Sequence, residues 1–406
     1  MNTKKINKEQ ILAVLLFAFF YIIQLCLIGY TITFFKACGA SEQIAGIVVA
    51  IACAIATFLQ PVLGNVADRS RRFNWKIILY ILTIILIVIS VRLIFFNAST
   101  LDIILFCAAI VIAFCMSPLI NESCFYYNTK EHPVSFGPAR AGGSLSYALV
   151  SWLIGSLMEK ISPAVVPTAA LIAGVGTLVI LLIMPKVDHI TRETTDNSLA
   201  TEESNSSKVS FFAFIKKYSV FFIFFFALIF IFTFQNLFSA NLINIVNDAD
   251  GNYETFGIAT AIAAIVELPV MFLFSKILKK FSSQSLIVFA AICYIIRSIL
   301  FIIASNIALI IIAQILQALT YAIIIPSMVY LSDDTMSKED KNKGQTIMGM
   351  TISIGTILGF LLESSLVGNG TQFVMIIGMV ITSIGALLAV IAYILYRKKK
   401  GTNNNE

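Results

Sequence analysis

Four ionisable side chains stand in stretches that otherwise read as lipid-spanning helix: Glu122, Arg140, Glu267 and Arg297. A charge near a bilayer centre costs about 2.5 to 3.5 kcal/mol on insertion scales, so two acids and two bases kept there mark a polar site. Arg140 offers a planar fork of donors and Glu122 two acceptor oxygens, a pair able to hold a polyol bidentately. Tyr147, seven residues after that arginine, supplies an aromatic face for a ring. Glu267 is the only mid-span carboxylate of the second half. A desolvating cavity and Arg297 in the neighbouring span act on it in opposite senses, which lets it gain and lose a proton. The alternatives are a structural ion pair for Glu122 and Arg140, a packing role for Tyr147, and a solute-binding Glu267 in an uncoupled carrier. Gln317 and Asn236 are expected to line the same cavity, while Glu363 and Arg92, near span ends, are expected to snorkel to the interface.

Composition decides what kind of element carries these residues. Of 406 residues 59% are hydrophobic and 12% charged, and the mean hydropathy is +0.92. That leaves too little polar surface to cover a soluble globule and places the chain in a bilayer. Phe is abundant (33) and Pro scarce (9), and runs such as 221–234 show no period of two, so the spans are helices rather than barrel strands. The polar first ten residues lead into an apolar run with no small-residue cleavage site, which reads as a retained first span. Of seven cysteines, six fall within spans and Cys38 stands alone in a loop, a pattern with neither a disulfide framework nor zinc spacing. No nucleophile and base pair, no metal-ligand motif and no phosphate-cradling loop occurs, so no catalytic residue, metal or cofactor is expected and the chain is not read as an enzyme.

Windows of about 20 apolar residues give twelve spans: 9–33, 42–63, 76–97, 101–127, 136–158, 163–185, 218–246, 254–278, 285–304, 306–332, 344–366 and 370–396. With both termini cytoplasmic, the 28 basic residues fall on the inner side except Lys36, Lys160 and the three span arginines, Arg92, Arg140 and Arg297. The net charge of +6 is therefore an orientation signal spread over loops, not a nucleic-acid face. A Ser/Thr-rich polar stretch divides the chain into an N-terminal six-helix bundle (1–185), a cytoplasmic linker (186–209), a C-terminal six-helix bundle (210–400) and a polar tail (401–406). The segment from Gly46, Gly-Ile-Val-Val-Ala-Ile-Ala, returns from Gly257 as Gly-Ile-Ala-Thr-Ala-Ile-Ala. Two related halves around a central site are what alternating access requires.

After the second span comes Gly64-Asn65-Val66-Ala67-Asp68-Arg69-Ser70-Arg71-Arg72. This G-x-x-x-D-R-x-x-R loop resembles the signature loop of the major facilitator superfamily. Gly64 allows close helix approach, and Asp68 can pair with an arginine or a helix N-terminus to latch the halves on the inner side, beside Arg69 and Arg72. Within that superfamily the chain is similar to the lactose-permease group of oligosaccharide and proton symporters. Phe136-Gly137-Pro138-Ala139-Arg140 with Tyr147 resembles that group's fifth helix, where an arginine binds sugar hydroxyls and an aromatic stacks on the ring. Glu122 precedes Arg140 by the separation of the group's sugar-binding glutamate. The ungapped match from Met271 places Arg297 on the group's proton-coupling arginine, and Gly46 and Gly257 on the glycine pair that closes the outer side. The coupling positions depart from the pattern: Ala264, Gln317, Thr320 and Thr356 replace the group's acid, histidine, acid and lysine. Glu267, one turn beyond Ala264, is expected to take over the proton.

The expectation is thus an all-α membrane protein of twelve transmembrane helices in two pseudo-symmetric bundles. It would sit as a monomer in the cytoplasmic membrane and move a small polar solute, a sugar or oligosaccharide by resemblance, in symport with protons. A nucleoside symporter, an uncoupled uniporter and a non-transporting sensor are the alternatives.

Overall fold

The computed structural model of the chain describes residues 8–69, 74–127, 134–185, 211–337 and 340–403. Among them every regular element is helical. In hydrocarbon a backbone N–H or C=O must be paired within its own segment, and a helix does this for apolar runs of any sequence. The order is α1 (Lys8–Gln24), a π-helical turn (Leu25–Gly29), α2 (Thr31–Ala37), α3 (Glu42–Arg69), α4 (Trp75–Leu93), α5 (Thr100–Tyr126), α6 (Phe136–Lys160) and α7 (Val165–Ile183). The second half has α8 (Phe211–Lys217), α9 (Ser219–Asp248), α10 (Tyr253–Leu278), α11 (Ser283–Ile302), α12 (Ile307–Ile315), a one-turn 3-10 stretch (Leu316–Leu319), α13 (Tyr321–Thr335), α14 (Lys341–Leu366) and α15 (Thr371–Asn403). Twelve segments among the described residues are long and apolar enough to cross a membrane, with α12 and α13 counting as one broken span. The linker expected over 186–209 lies outside the described residues, and the tail expected from 401 begins as the end of α15.

Side-chain caps mark where several spans begin. Asn74, Asn252 and Asn306 accept the N–H three residues on at 3.0, 3.0 and 3.1 Å, and Ser282 does so at 3.3 Å, satisfying donors that a helix start leaves open. Pro269, expected to disturb the backbone beside Glu267, instead sits inside a continuous α10. The irregular turns lie elsewhere, at Leu25–Gly29 and Leu316–Leu319, and both border the central cavity described below. Non-α backbone at membrane depth is tolerated where it is enclosed by protein or faces a polar cavity.

Helices α1 to α7 pack with one another, as do α8 to α15, and the two groups meet mainly along α6 with α10 and α3 with α14. An even number of spans puts both termini on one face of the bundle, here the terminus face. The opposite, far face is where the halves close. A Cβ on Gly155 would lie 3.0 Å from Gly257 Cα, and one on Gly46 would lie 2.9 Å from the Phe360 carbonyl oxygen. Ser151 Oγ donates to Gly257 O at 3.3 Å, and Tyr253 N to Glu159 Oε2 at 3.2 Å. Lys36 donates to Asn244, whose amide reaches Glu42 Oε2 at 2.6 Å. Nearer the middle, Cys53 Sγ lies 3.8 Å from Ser353 O. Toward the terminus face nothing lies within 4 Å of a Cβ on Gly64 or Gly349. The close contacts between the halves described above are thus at the far face, whereas Gly64 and Gly349 meet open space.

Glu363 belongs to that closed seam, contrary to the expectation that it snorkels. It is fully buried, and its two carboxylate oxygens have no hydrogen-bond partner. A Cβ on Gly46 would come 2.8 Å from Glu363 Oε2, so bare helix backbone covers the carboxylate. Position along the helix suggested an interface residue; close packing between halves buried it instead.

The seam gives a testable expectation. Gly46→Leu and Gly155→Leu each force a branched side chain into backbone of the other half, which close-packed interiors do not absorb. Spin labels at the exposed far-face positions 161 and 306 should move several ångström apart in either variant. Leucine at Gly64, which meets open space, should leave that distance unchanged.

Candidate functional site

Between the halves lies a cavity of about 350 Å³. On α6 its wall is Arg140, Ser144 and Tyr147, spaced i, i+4 and i+7 so that one helical face presents all three. On α10 the facing stripe is Thr260, Ala263, Ala264 and Glu267, with the same periodicity. Tyr21 and Gln24 enter from α1, Gln235 and Asn236 from α9, Arg297 from α11, Gln314 from α12, Gln317 from the 3-10 turn, and Tyr321 from α13. Glu267, Arg140 and Arg297 are the acidic and basic side chains of this lining.

Arg297 is fully buried and fully engaged. Its Nε donates to Ala313 O at 2.9 Å and its Nη2 to Gln314 Oε1 at 2.6 Å. Its Nη1 donates to Gln317 Oε1, with Gln235 Oε1 and Thr320 Oγ1 each at 3.4 Å. The guanidinium plane lies over the rings of Phe238 and Phe301, 4.3 and 5.5 Å from their centroids, which adds cation–π attraction in a desolvated place. Tyr294 OH fixes Gln235 Oε1 at 2.8 Å. The charge is thus spread over neutral oxygens rather than neutralised by a carboxylate.

Gln317 then turns its other end to the cavity, donating through Nε2 to Glu267 Oε1 at 2.7 Å. With an arginine on one side and a carboxylate on the other, the amide has one orientation that satisfies both neighbours, oxygen to Arg297 and nitrogen to Glu267. The Glu267–Arg297 partnership expected from sequence is therefore indirect. The oxygens of Ala313 and Gln314 hold the guanidinium against α12, and Gln317, at a break in the span, fills the gap.

Arg140 is in the opposite situation. Its guanidinium stacks on Tyr21 at 4.5 Å from the ring centroid, and its Nη1 is buried without a hydrogen-bond partner. The expected clamp with Glu122 is not formed. Glu122, half-buried near the end of α5, is not among the residues of the cavity wall, and no hydrogen bond or ion pair joins it to Arg140. The reason lies in α6, which packs tightly on α1: a Cβ on Gly142 would lie 2.6 Å from Val14 Cγ1, and one on Gly143 the same distance from Tyr21 Cδ2. That packing turns Arg140 toward α1 instead of α5.

The other expected residues separate by place. Tyr147, Gln317 and Asn236 line the cavity, with Asn236 Nδ2 bonded to its own helix at Phe232 O, 2.8 Å away. The Tyr147 hydroxyl would lie 2.7 Å from a Cβ on Gly29, so the glycine at the π-helical turn makes room for it. Gly46 and Gly257 lie in the far-face seam and Gly64 in open space. Arg72 and the side chains of Asp68 and Arg69 lie outside the described residues. Tyr21 and Tyr321 were not anticipated; their positions on cavity-facing turns follow only from helix packing.

Residues 10–392 match the MFS_1-like family. The chain belongs to that family. This MFS_1-like protein shares its fold with solved transporters at low identity. A point mutant of the nucleoside transporter NupG superposes with a TM-score of 0.78 at 16% identity, covering 95% of this chain and 100% of that one. A point mutant of the peptide transporter POT gives 0.74 at 11% identity, covering 95% and 94%. A bacterial homolog of the human lysosomal transporter Spinster gives 0.70 at 13%, covering 97% and 98%. No curated protein matches the chain in sequence. The protein is a multi-pass membrane transporter of the major facilitator fold.

The two arginines should respond oppositely to truncation. Arg297→Gln strands the buried oxygens of Ala313, Gln314 and Gln317, and should lower stability by roughly 3 kcal/mol. Arg140→Gln removes a buried donor that has no acceptor, and should change stability by less than about 1 kcal/mol. Thermal unfolding in detergent, followed by a thiol-reactive dye at the buried cysteines, checks both.

Proposed function

We propose that the protein is a proton-coupled secondary transporter that moves a small polar solute across the cytoplasmic membrane by alternating access. The observation that carries this reading is Glu267, the one carboxylate of the cavity wall. One of its oxygens is bonded to Gln317, and the other has no hydrogen-bond partner among the described residues. Such a group exchanges a proton with whatever water the cavity admits, and Gln317 links it to a cation that never leaves its own socket. The concentration of basic residues beside the termini supports a cytoplasmic terminus face, so the present state opens inward. Gly46, Gly155 and Gly257 are the points at which the halves roll, and the Gly64 to Arg72 loop is the latch of the opposite state.

Rocking couples solute to proton when the cavity opens outward only in states that satisfy Glu267, either protonated or matched by cargo. Arg297 and Gln317 hold the carboxyl in place, Tyr147 and Tyr321 give apolar faces to a ring, and Asn236, Gln24 and Ser144 supply hydrogen bonds. A neutral sugar was expected from the Glu122–Arg140 clamp. With Glu122 outside the cavity wall, the support for a sugar narrows to Arg140 and Tyr147, which serve a nucleoside or a sugar acid equally well.

Proteoliposomes with an imposed pH gradient test the coupling. Wild-type protein should accumulate its cargo above the equilibrium level. Glu267→Gln, which keeps a partner for Gln317 but cannot carry a proton, should lose accumulation while retaining exchange of labelled for unlabelled cargo. Full gradient-driven accumulation by Glu267→Gln would refute proton carriage at this residue, and absence of uptake in wild type would favour a sensor.

A further inference from the structure

We infer that the cargo carries a single negative charge, a carboxylate that docks on Arg140. The inference deepens the transport reading and rests on it only in taking the central cavity as the cargo site.

The charges of the cavity wall do not balance. Arg140 and Arg297 face one carboxylate, Glu267. Arg297 has its acceptors in Ala313, Gln314 and Gln317, and Glu267 has Gln317. Arg140 stacks on the π face of Tyr21 and lies within the field of Glu267, but its buried Nη1 lacks a hydrogen-bond acceptor. A guanidinium in a low-dielectric cavity holds its charge, so the missing partner must be an anion or an acceptor-rich group. The carboxylate offered by the sequence, Glu122, is not in the wall.

Geometry agrees with an anion at that end. Taking the Gly155–Gly257 crossing as origin, Glu267 lies ten residues along α10 and Arg140 fifteen residues back along α6, both toward the terminus face. At 1.5 Å per residue these are about 15 and about 22 Å from the seam. Arg140 is therefore the charge nearer the terminus face, and Glu267 lies between it and the seam. A solute bound by its anionic end to Arg140 extends its body toward Glu267, between Tyr147 of one half and Tyr321 of the other. It would touch both halves, as a cargo that controls rocking must.

Charge count favours a monoanion. One carboxylate, with its two coplanar oxygens, matches the guanidinium fork and, with Glu267 ionised, brings the wall of two arginines and one carboxylate to neutrality. A dianionic phosphate would leave a negative surplus beside Glu267, and a neutral polyol would leave Arg140 uncompensated.

Matched pairs test this without knowledge of the natural cargo. Thermal stabilisation of the purified protein is measured with D-glucuronate against D-glucose, cyclohexanecarboxylate against cyclohexanol, and uridine monophosphate against uridine, with sodium chloride holding ionic strength constant. At least one carboxylate should stabilise the wild type at a concentration tenfold or more below its neutral partner. Arg140→Gln should abolish that preference, and Arg140→Lys, which keeps the charge without the fork, should retain part of it. Three results would overturn the inference: stabilisation by a neutral member or the phosphate alone, no stabilisation by either carboxylate, or a carboxylate preference that survives Arg140→Gln. These measurements use no gradient, so failed proton coupling through Glu267 leaves the carboxylate preference in place and marks the two ideas as separate.

Discussion

A buried guanidinium without a carboxylate is the constraint around which the second half is built. Lipid offers Arg297 neither water nor counter-ion, so the protein surrounds it with neutral oxygens from Gln235, Ala313, Gln314, Gln317 and Thr320 and with two phenyl rings. Leaving such a charge unsatisfied would cost several kcal/mol. Satisfying it with amides leaves its field intact, and Gln317 passes that field on to Glu267. The 3-10 turn at Leu316–Leu319 follows from the same need, because it lets Gln317 reach both groups. Charge, backbone irregularity and cavity wall are one feature at this depth.

The first half presents the complementary case. Arg140 is held by packing on α1 and left without an acceptor, a state that costs stability and is kept at sites where a partner comes and goes. At the far face the halves meet through glycine contacts. Those contacts are short because Gly46, Gly155 and Gly257 carry no side chain, and they allow helices of opposite halves to part and meet again without repacking large groups. The energy that drives this motion need only bias two arrangements of similar stability. A proton on Glu267 and a charge on Arg140 lie where they can do so, within one cavity and on opposite sides of the dividing plane.

Much of this was legible in the chain. Twelve apolar runs fixed the class, and the few charges inside them identified Arg140, Glu267 and Arg297, because lipid makes each such residue conspicuous. Gln317 and Asn236 stood out as polar residues inside spans, and Tyr147 through its resemblance to an aromatic position after Arg140; all three line the cavity. What was not legible depends on which neighbour a helix faces. The separation of Glu122 from Arg140 suggested a pair, yet Gly142 and Gly143 seat α6 on α1 and turn the arginine to Tyr21. Glu363 stood near a span end, and only the close approach of α3 at Gly46 shows it to be buried. Gln317 was read as a cavity wall amide, while its bridging role needed the broken span between α12 and α13. Spacing along one helix was informative; contacts between helices were not.

The claim on which the rest turns is that the carboxyl of Glu267 takes and releases a proton inside the folded cavity. Infrared difference spectra of the reconstituted protein, recorded between acidic and alkaline buffer, observe that event directly through the carbonyl stretch of protonated carboxyl groups. The expected result is a titrating band that Glu267→Gln removes and that Gln317→Leu displaces, since the hydrogen bond to the carboxyl is lost. Spectra of Glu267→Gln in which every titrating carboxyl band persists unchanged would contradict it.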